Sequence, residues 1–204
     1  SKSLVVMGDP DYVADSTIID AGARDRHFTF DSGEDTTYQV IGLTLYNGKT
    51  TDNDGGGSVS MRNNSSPVFR KVIFKQNINQ AENWEGGGAV SAQNFSRPSF
   101  YYCIFDGNTV QRTGDNQNEA NGGAVWIQGS SNNASQFVLF DGCTFKNNVA
   151  RGKWGARGGA IKTDEAQVII TNSLFYSNMT FANEDGTNTH ASNGGASERT
   201  GPVA

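Results

Sequence analysis

The chain lacks the features that mark nucleic-acid partners, membrane spans and large single-core globules. Its 16 lysines and arginines are scattered and outnumbered by 21 acidic residues, so the basic stripe that a phosphate backbone requires is missing. No apolar run reaches the roughly 18 residues of a membrane-spanning helix. Apolar residues make up only 35% of the chain and the mean hydropathy is -0.53, which is lean for one central core.

Helical periodicity and a secretion signal are also missing. Glycine and asparagine recur too often for helices of about ten or more residues. The first residues, Ser1-Lys2-Ser3, carry no signal-peptide pattern. We therefore expect a mature or excised segment, in which residues 1–204 form a single domain or a piece of a longer one.

Glycine, by contrast, is abundant, and much of it recurs in one motif. A glycine pair followed by a small residue occurs five times, at steps of 31, 35, 36 and 36 residues. The copies are Gly56-Gly57-Ser58-Val59, Gly87-Gly88-Ala89-Val90, Gly122-Gly123-Ala124-Val125, Gly158-Gly159-Ala160-Ile161 and Gly194-Gly195-Ala196-Ser197. A repeat of this length is typical of solenoids, propellers and arrays.

A second motif, Phe-x-x-Asn, alternates with the glycine pairs. Its phenylalanines are Phe74, Phe105, Phe145 and Phe175, and its asparagines are Asn77, Asn108, Asn148 and Asn178. Each copy ends a short segment of period-two alternation, so each phenylalanine points the same way as the residue two positions before it. We expect equivalent residues of successive repeats to stack about 4.8 Å apart, forming a phenylalanine stack and an asparagine ladder.

These patterns predict an all-β fold, a right-handed single-stranded parallel β-helix of about five coils with long loops. The repeat motifs cover about residues 17–197, and residues 198–204 are predicted to form a tail. The competing interpretation is a propeller, because four antiparallel strands fit within a repeat of this length. The apolar segments are few and short, and long polar stretches separate them, which favours the β-helix.

The two motifs together resemble the repeats of the chlamydial polymorphic outer-membrane proteins, surface adhesins whose passenger is a right-handed parallel β-helix. Segments 18–22 and 40–45 are similar to the pectin-lyase-like superfamily in general. The resemblance implies a non-enzymatic structural or adhesive protein, extracellular or at the cell surface. Its partners would be further copies of itself, other surface proteins or glycans. Open coil edges also predict head-to-tail stacking into a filament or a longer solenoid.

The pectin-lyase-like resemblance leaves an alternative open, a polysaccharide lyase or hydrolase or a carbohydrate-binding protein. Hydrolysis of a glycoside needs two carboxylates held about 5 to 10 Å apart. The hallmark Asn-Thr-Asp, Asp-Asp, Gly-His-Gly and Arg-Ile-Lys motifs are missing, and the two histidines, His27 and His190, lie in unrelated contexts. We predict no catalytic residues. The candidates for glycan contact are Trp84, Trp126 and Trp154, which lie near glycine motifs.

Sequons and an acidic turn are candidates for glycosylation and metal binding. Asn-x-Ser/Thr occurs at Asn63, Asn64, Asn94 and Asn133, and chance is the alternative in a chain so rich in asparagine, serine and threonine. Asn178 also begins a sequon, but a ladder asparagine is turned into the stack. The segment containing Asp52 and Asp54 has the oxygen-rich composition of a calcium loop. Ordinary turn chemistry is the alternative there, and no cofactor is predicted.

Two cysteines and an outward column of apolar residues complete the candidates. Cys103 and Cys143 are 40 residues apart and should be neighbours in the inward column beside the phenylalanines. We expect two buried thiols, since a disulfide between such neighbours would be strained. The outward residues Ile73, Ile104 and Leu174 predict a binding surface or an oligomer contact, unless loops such as 109–121 fold over them.

Overall fold

A computed structural model of the chain describes residues 3–9, 14–82, 86–112, 114, 118–129, 137–182, 192–193 and 197–200. These residues form short strands joined by turns, and each strand pairs in parallel with strands one coil away. The predicted parallel β-helix is confirmed. Among the same residues there is no helix with the length and apolar character needed to cross a membrane.

The strands belong to six coils. Coil 1 contains β1 (Val5–Met7), β2 (Ile18–Asp20) and β3 (Phe28–Phe30). Coil 2 contains β4 (Gln39–Ile41), β5 (Thr44–Tyr46), β6 (Lys49–Thr50) and β7 (Val59–Met61). Coil 3 contains β8 (Val68–Arg70), β9 (Ile73–Lys75), β10 (Ile78–Asn79) and β11 (Val90–Ala92).

The later coils gain one further short strand. Coil 4 contains β12 (Ser99–Tyr101), β13 (Ile104–Asp106), β14 (Thr109–Arg112), β15 (Ala120–Asn121) and β16 (Val125–Gln128). Coil 5 contains β17 (Val138–Asp141), β18 (Thr144–Lys146), β19 (Val149–Gly152), β20 (Ala156–Arg157) and β21 (Ile161–Asp164). Coil 6 contains β22 (Val168–Thr171), β23 (Leu174–Tyr176), β24 (Met179–Ala182), β25 (Ser192–Asn193) and β26 (Ser197–Thr200).

Equivalent strands of successive coils form four long sheets and one short sheet. Sheet A has the order β1-β4-β8-β12-β17-β22, and sheet B has the order β2-β5-β9-β13-β18-β23. Sheet C runs β6-β10-β14-β19-β24, sheet D runs β3-β7-β11-β16-β21-β26, and the short sheet runs β15-β20-β25. Because the register places like residues side by side, each column of side chains runs through the whole stack.

The expectation of about five coils is one too few. Segments 18–20 and 28–30 form a coil of their own with β1, and segment 40–45 belongs to the next coil. Coil 1 carries neither a glycine pair nor Phe-x-x-Asn, so the motifs could not separate it from coil 2. At the other end, β26 pairs with β21, so residues 198–200 of the predicted tail lie in a strand.

Two stacks of phenylalanine fill the interior. In sheet B, the rings of Phe74, Phe105, Phe145 and Phe175 lie over one another with centroids 4.6 to 4.7 Å apart and planes within 6°. In sheet A, Phe69, Phe100 and Phe140 form a second stack with centroids 5.1 and 4.8 Å apart. The edges of one stack meet the faces of the other, as in Phe100 against Phe105 at 5.6 Å. Offset and edge-to-face contacts are the arrangements that aromatic quadrupoles favour.

The asparagines of Phe-x-x-Asn form a hydrogen-bonded ladder beside the phenylalanine stack. Asn108 Nδ2 donates to Asn148 Oδ1 at 3.0 Å and to the Phe74 carbonyl at 2.9 Å. The backbone N–H of Asn108 donates to the same Asn148 oxygen at 3.0 Å. The pattern repeats from Asn77 to Asn178. These buried amides therefore satisfy both one another and the turn backbone.

The two glycines of each pair have different roles. Gly87 has a φ of +79°, a conformation that L-residues with a side chain rarely adopt. Gly88 instead lies against the backbone, and a Cβ added there would be 2.1 Å from the carbonyl oxygen of Gly123 in the next coil. The first glycine makes the bend and the second permits close packing of the coils. The fifth pair, Gly194-Gly195, lies outside the described residues.

Candidate functional site

Large apolar side chains are exposed mainly at the two ends of the stack. In coil 1 and the residue before it they are Leu4, Val5, Met7, Ile18 and Ile19, and in coil 6 they are Ile169, Ile170, Leu174, Tyr176, Met179 and Phe181. Only Phe95, Tyr102 and Phe137 are exposed elsewhere among the described residues. Contiguous exposed apolar surface marks an interaction site more often than isolated apolar residues do. The open ends are therefore the first candidate site.

Ile19 and Ile170 belong to columns that are buried inside the stack, whereas most of the other exposed end residues lie in outward columns. In sheet B, Ile19 and Phe175 are the first and last members of the column that contains Phe105. Ile19 is 38% exposed, whereas Phe105 is fully buried. In sheet A, Ile170 is the last member of the column that contains Phe140, and it is 39% exposed. Each end thus presents core residues that lack a neighbouring coil.

The strand edges at the ends are also open. Within the stack, the residue at the turn between sheets A and B donates its backbone N–H to a carbonyl of the following coil. Tyr102, for example, donates to the Asp141 carbonyl at 2.8 Å. The equivalent residue of coil 6 is Asn172, which has a similar φ of 50°, so by the same pattern its backbone N–H would be directed away from coil 5. At the turn between sheets B and C, the backbone N–H of Asn147 in coil 5 donates to the Tyr176 carbonyl of coil 6 at 3.3 Å. Ser177 is the residue of coil 6 that is equivalent to Asn147. Open edges of this kind are templates for pairing with another strand.

A groove on the outer face of sheet B is the second candidate site. It has a volume of about 460 Å³. An apolar floor includes Ile18, Ile73 and Ile104, and one wall includes Lys75 and Asp106. The predicted outward column is thus accessible in coils 3 and 4. Residues 109–112 of loop 109–121 do not fold over the groove, because they form β14 in sheet C.

The groove is partly closed at coil 2. Thr44 is buried there, and its Oγ1 donates to the Ala14 carbonyl at 2.8 Å. Across the next coils the wall carries opposite charges, with Lys146 Nζ 3.3 Å from Asp106 Oδ2. The groove therefore offers apolar contact beside a charged row, which suits a polar ligand with one apolar face.

Of the three candidate tryptophans, the structure describes Trp126 and Trp154. Trp126 lies in β16 but is only 3% exposed, and its Nε1 donates to Asp164 Oδ2 at 2.9 Å. Trp154 is half-buried, and Trp84 lies outside the described residues. A sugar stacks on an exposed aromatic face, which Trp126 does not offer. The sequence alone could not show that Trp126 is buried, because this residue lies at an outward position of its strand.

The acidic turn at residues 52–54 is engaged by arginines. Asp52 pairs with Arg26, and Asp54 pairs with Arg62 and lies 3.6 Å from a second nitrogen of Arg26. The Asp54 carbonyl accepts hydrogen bonds from Ser60 and Gln93. Both carboxylates are thus already neutralised by guanidinium groups. No group of three or more metal-binding side chains occurs within the part of the chain that the structure describes.

His27 and the carboxylates are the groups of the described chain that are suited to acid–base chemistry. The buried polar residues of the described chain include no aspartate or glutamate. His27 lies between coils 1 and 2, with Nδ1 3.0 Å from Ser58 Oγ and Nε2 3.0 Å from the Ile19 carbonyl. Burial lowers the pKa of His27 below its ordinary value of 6.5. This histidine holds coil 1 against coil 2, and His190 lies outside the described residues.

The cysteines are free and buried, as their place in the inward column predicts. Their thiols lie near backbone carbonyls, Cys103 Sγ 3.5 Å from the Phe69 oxygen and Cys143 Sγ 3.5 Å from the Phe100 oxygen. Burial raises the pKa of Cys103 well above its ordinary range. A thiol that stays protonated and inaccessible is a poor nucleophile, and both cysteines are buried members of the core.

Three of the candidate glycosylation sites lie on exposed turns. Asn63, Asn64 and Asn94 are exposed and have positive φ angles of 57°, 63° and 48°. Asn133 lies outside the described residues. Asn178 is held in the ladder, where its Nδ2 donates to the Phe145 carbonyl at 2.9 Å. The three exposed asparagines are therefore accessible to a modifying enzyme, and Asn178 is not.

Comparison of the chain with protein-family models, with curated proteins and with solved structures finds no match. The chlamydial and pectin-lyase-like resemblances therefore stay predictions. Within the described coils, exposed apolar side chains and open strand edges coincide at the two ends.

Proposed function

We propose that the chain is a non-enzymatic structural or adhesive β-helix of the extracellular space or the cell surface, whose stack continues through its ends into further coils. The observation that carries this proposal is the position of the exposed apolar residues. They concentrate in coils 1 and 6, where the strand edges are also open. A repeat protein gains stability from each neighbouring repeat, so such ends are favourable sites for continuation.

The further coils would belong either to a longer chain or to another molecule. Both fit the resemblance to surface adhesins with a β-helical passenger. The exposed sequons at Asn63, Asn64 and Asn94 agree with an extracellular setting and with glycosylation. The two cysteines are free and buried, so they do not oppose it.

Electron microscopy of the native material, with an antibody against this chain, tests the proposal. We expect the label to lie along rods or fibres, because a continued stack is an elongated structure. A label confined to compact particles that cleave a polysaccharide would overturn the proposal. Mass spectrometry of the same material would show whether the exposed asparagines carry glycans.

Glycan binding is the second candidate function, and the groove on sheet B is the observation that favours it. Tyr46, Lys75 and Gln76 line this groove and supply an aromatic face and hydrogen-bond donors. A glycan array would test it with the variants Tyr46→Ala and Lys75→Ala, and with Trp154→Ala as a variant outside the groove. Binding that is lost only in the two groove variants would establish this function.

A further inference from the structure

Sheets A and B each place apolar residues of coil 1 and coil 6 in the same columns, whereas sheet D aligns the apolar strand β3 with the polar strand β26. Sheet A places Val5 and Ile169 in one column, and Val6 and Ile170 in the next. Sheet B places Ile18 and Leu174 in one column, and Ile19 and Phe175 in the next. Four apolar residues of coil 1 thus hold the same positions as four apolar residues of coil 6.

We propose that the occupant of each end is a second copy of this chain, with coil 6 of one copy pairing in register with coil 1 of the next. This inference rests on the proposed function and names the partner. Apolar side chains would then meet apolar side chains in both sheets. Ile18 and Leu174, each 56% exposed, would gain the neighbours that Ile73 and Ile104 have inside the stack.

The backbone supports the same register. Inside the stack, the turn N–H groups of Gly142 and Asn147 donate to the carbonyls of Thr171 and Tyr176 in the following coil. By the same pattern, Asn172 of one copy would donate to the Met7 carbonyl of the next. Ser177 would likewise donate to the Asp20 carbonyl. Both sheets would then continue across the junction without a change of direction.

The junction would be weaker than the contact between internal coils. Gly22 stands in coil 1 at the position that asparagine occupies in the ladder, three residues after the inward residue of sheet B. Asn178 of the preceding copy therefore meets no amide oxygen there. Association should be reversible and should rise with protein concentration. Six coils at about 4.8 Å each give an axial repeat of about 29 Å.

Sedimentation velocity of the purified chain over a range of concentrations tests whether the partner is a second copy of the chain. We expect linear oligomers that grow with concentration, and fibres with the axial repeat given above. A chain that stays monomeric throughout would overturn pairing with a second copy. Rods in the native material would in that case still support the proposed function, so the two failures are distinguishable.

Opposite charges at matched positions test the register. Ile18→Lys alone and Leu174→Glu alone should each weaken association on the order of tenfold or more, because a charge would lie against an apolar residue and lose part of its hydration at the junction. Combining the two substitutions in one chain places lysine against glutamate at every junction and should restore association. Combining Val5→Lys with Leu174→Glu in one chain is the mismatched control and should not restore it.

A second matched pair, Val5→Glu with Ile169→Lys, guards against a single variant that folds poorly. Circular dichroism of each variant, compared with the unmodified chain, establishes that the β-helix is intact. Restoration by both matched pairs and not by the mismatched pair would establish the register. Equal restoration by the mismatched pair would overturn it.

Discussion

Coils 4 and 6 contain the same motif in different surroundings. Phe105 in coil 4 lies between Phe74 at 4.7 Å and Phe145 at 4.6 Å, whereas Phe175 in coil 6 has one stacked neighbour, Phe145, at 4.6 Å. The side chain of Phe105 is fully buried and that of Phe175 is not. The contribution of a residue in this fold therefore depends on how many coils flank it.

We expect the loss in free energy of unfolding to differ most between the middle and end coils when a stacked phenylalanine is replaced. Phe105→Ala should lower the free energy of unfolding by about 3 to 5 kcal/mol, because it opens a cavity between two coils. Phe175→Ala should cost roughly half of that or less, because within the described part of the chain a ring stacks on only one face of Phe175. Urea denaturation of dilute protein measures both. Equal losses of stability would show that Phe175 in coil 6 is packed as fully as Phe105 in coil 4.

The asparagine ladder should show the same contrast with a smaller effect. Asn108→Ala leaves buried donors of Asn77 and the Phe74 carbonyl without their partners, at a cost of about 2 to 3 kcal/mol. Asn178→Ala removes the same bonds at a half-buried end, where water replaces them, and should cost about 1 kcal/mol. Thermal unfolding of the two variants side by side gives the comparison. A larger loss for Asn178 would contradict it.

Close packing of successive coils can be tested at two glycines. Gly88→Ala should destabilise the protein by about 2 kcal/mol, because the added Cβ meets backbone atoms of the next coil. Gly107→Asn is the matched control. It should cost only a few tenths of a kcal/mol, because Asn147 holds the equivalent turn position at a φ of 57°. Similar losses of stability in the two variants would mean that glycine is required by the turn conformation and not by the spacing of the coils.

The smallest expected effect is a pH dependence confined to coil 1. The folded-state pKa of His27 lies below 6.5, so the unfolded chain binds more protons and the stability of coil 1 falls as the pH drops through that value. Amide exchange of β2 and β3 between about pH 7.5 and pH 5.5, corrected for intrinsic rates, measures this. His27→Gln should remove the dependence. Exchange in coil 4 should not change, and a parallel change there would contradict a local effect.

The fold and the ladder could be predicted from sequence because each depends on like residues stacking on like. Phe105 and Asn108 recur at fixed spacing, and that spacing alone brings them together in space. The second phenylalanine stack could have been found in the same way, since Phe69, Phe100 and Phe140 lie five residues before the members of the first stack.

Features that depend on non-repeating segments could not be predicted. Trp126 is buried at an outward position of its strand, and Thr44 is covered by the turn at Ala14. The pairing of Asp52 and Asp54 with arginines arises because residues 26 and 62 come from neighbouring coils. Coil 1 itself was hidden because its strands stack on coil 2 without either motif.

The central claim is that the end coils, and not the outer faces of the sheets, are the cohesive surfaces of this protein. Hydrogen exchange measured by mass spectrometry at increasing protein concentration tests it most directly. We expect the protection of β1, β2, β22 and β23 from exchange to rise with concentration while that of the middle coils stays unchanged. Protection that ignores concentration, or that rises along the groove of sheet B instead, would contradict it.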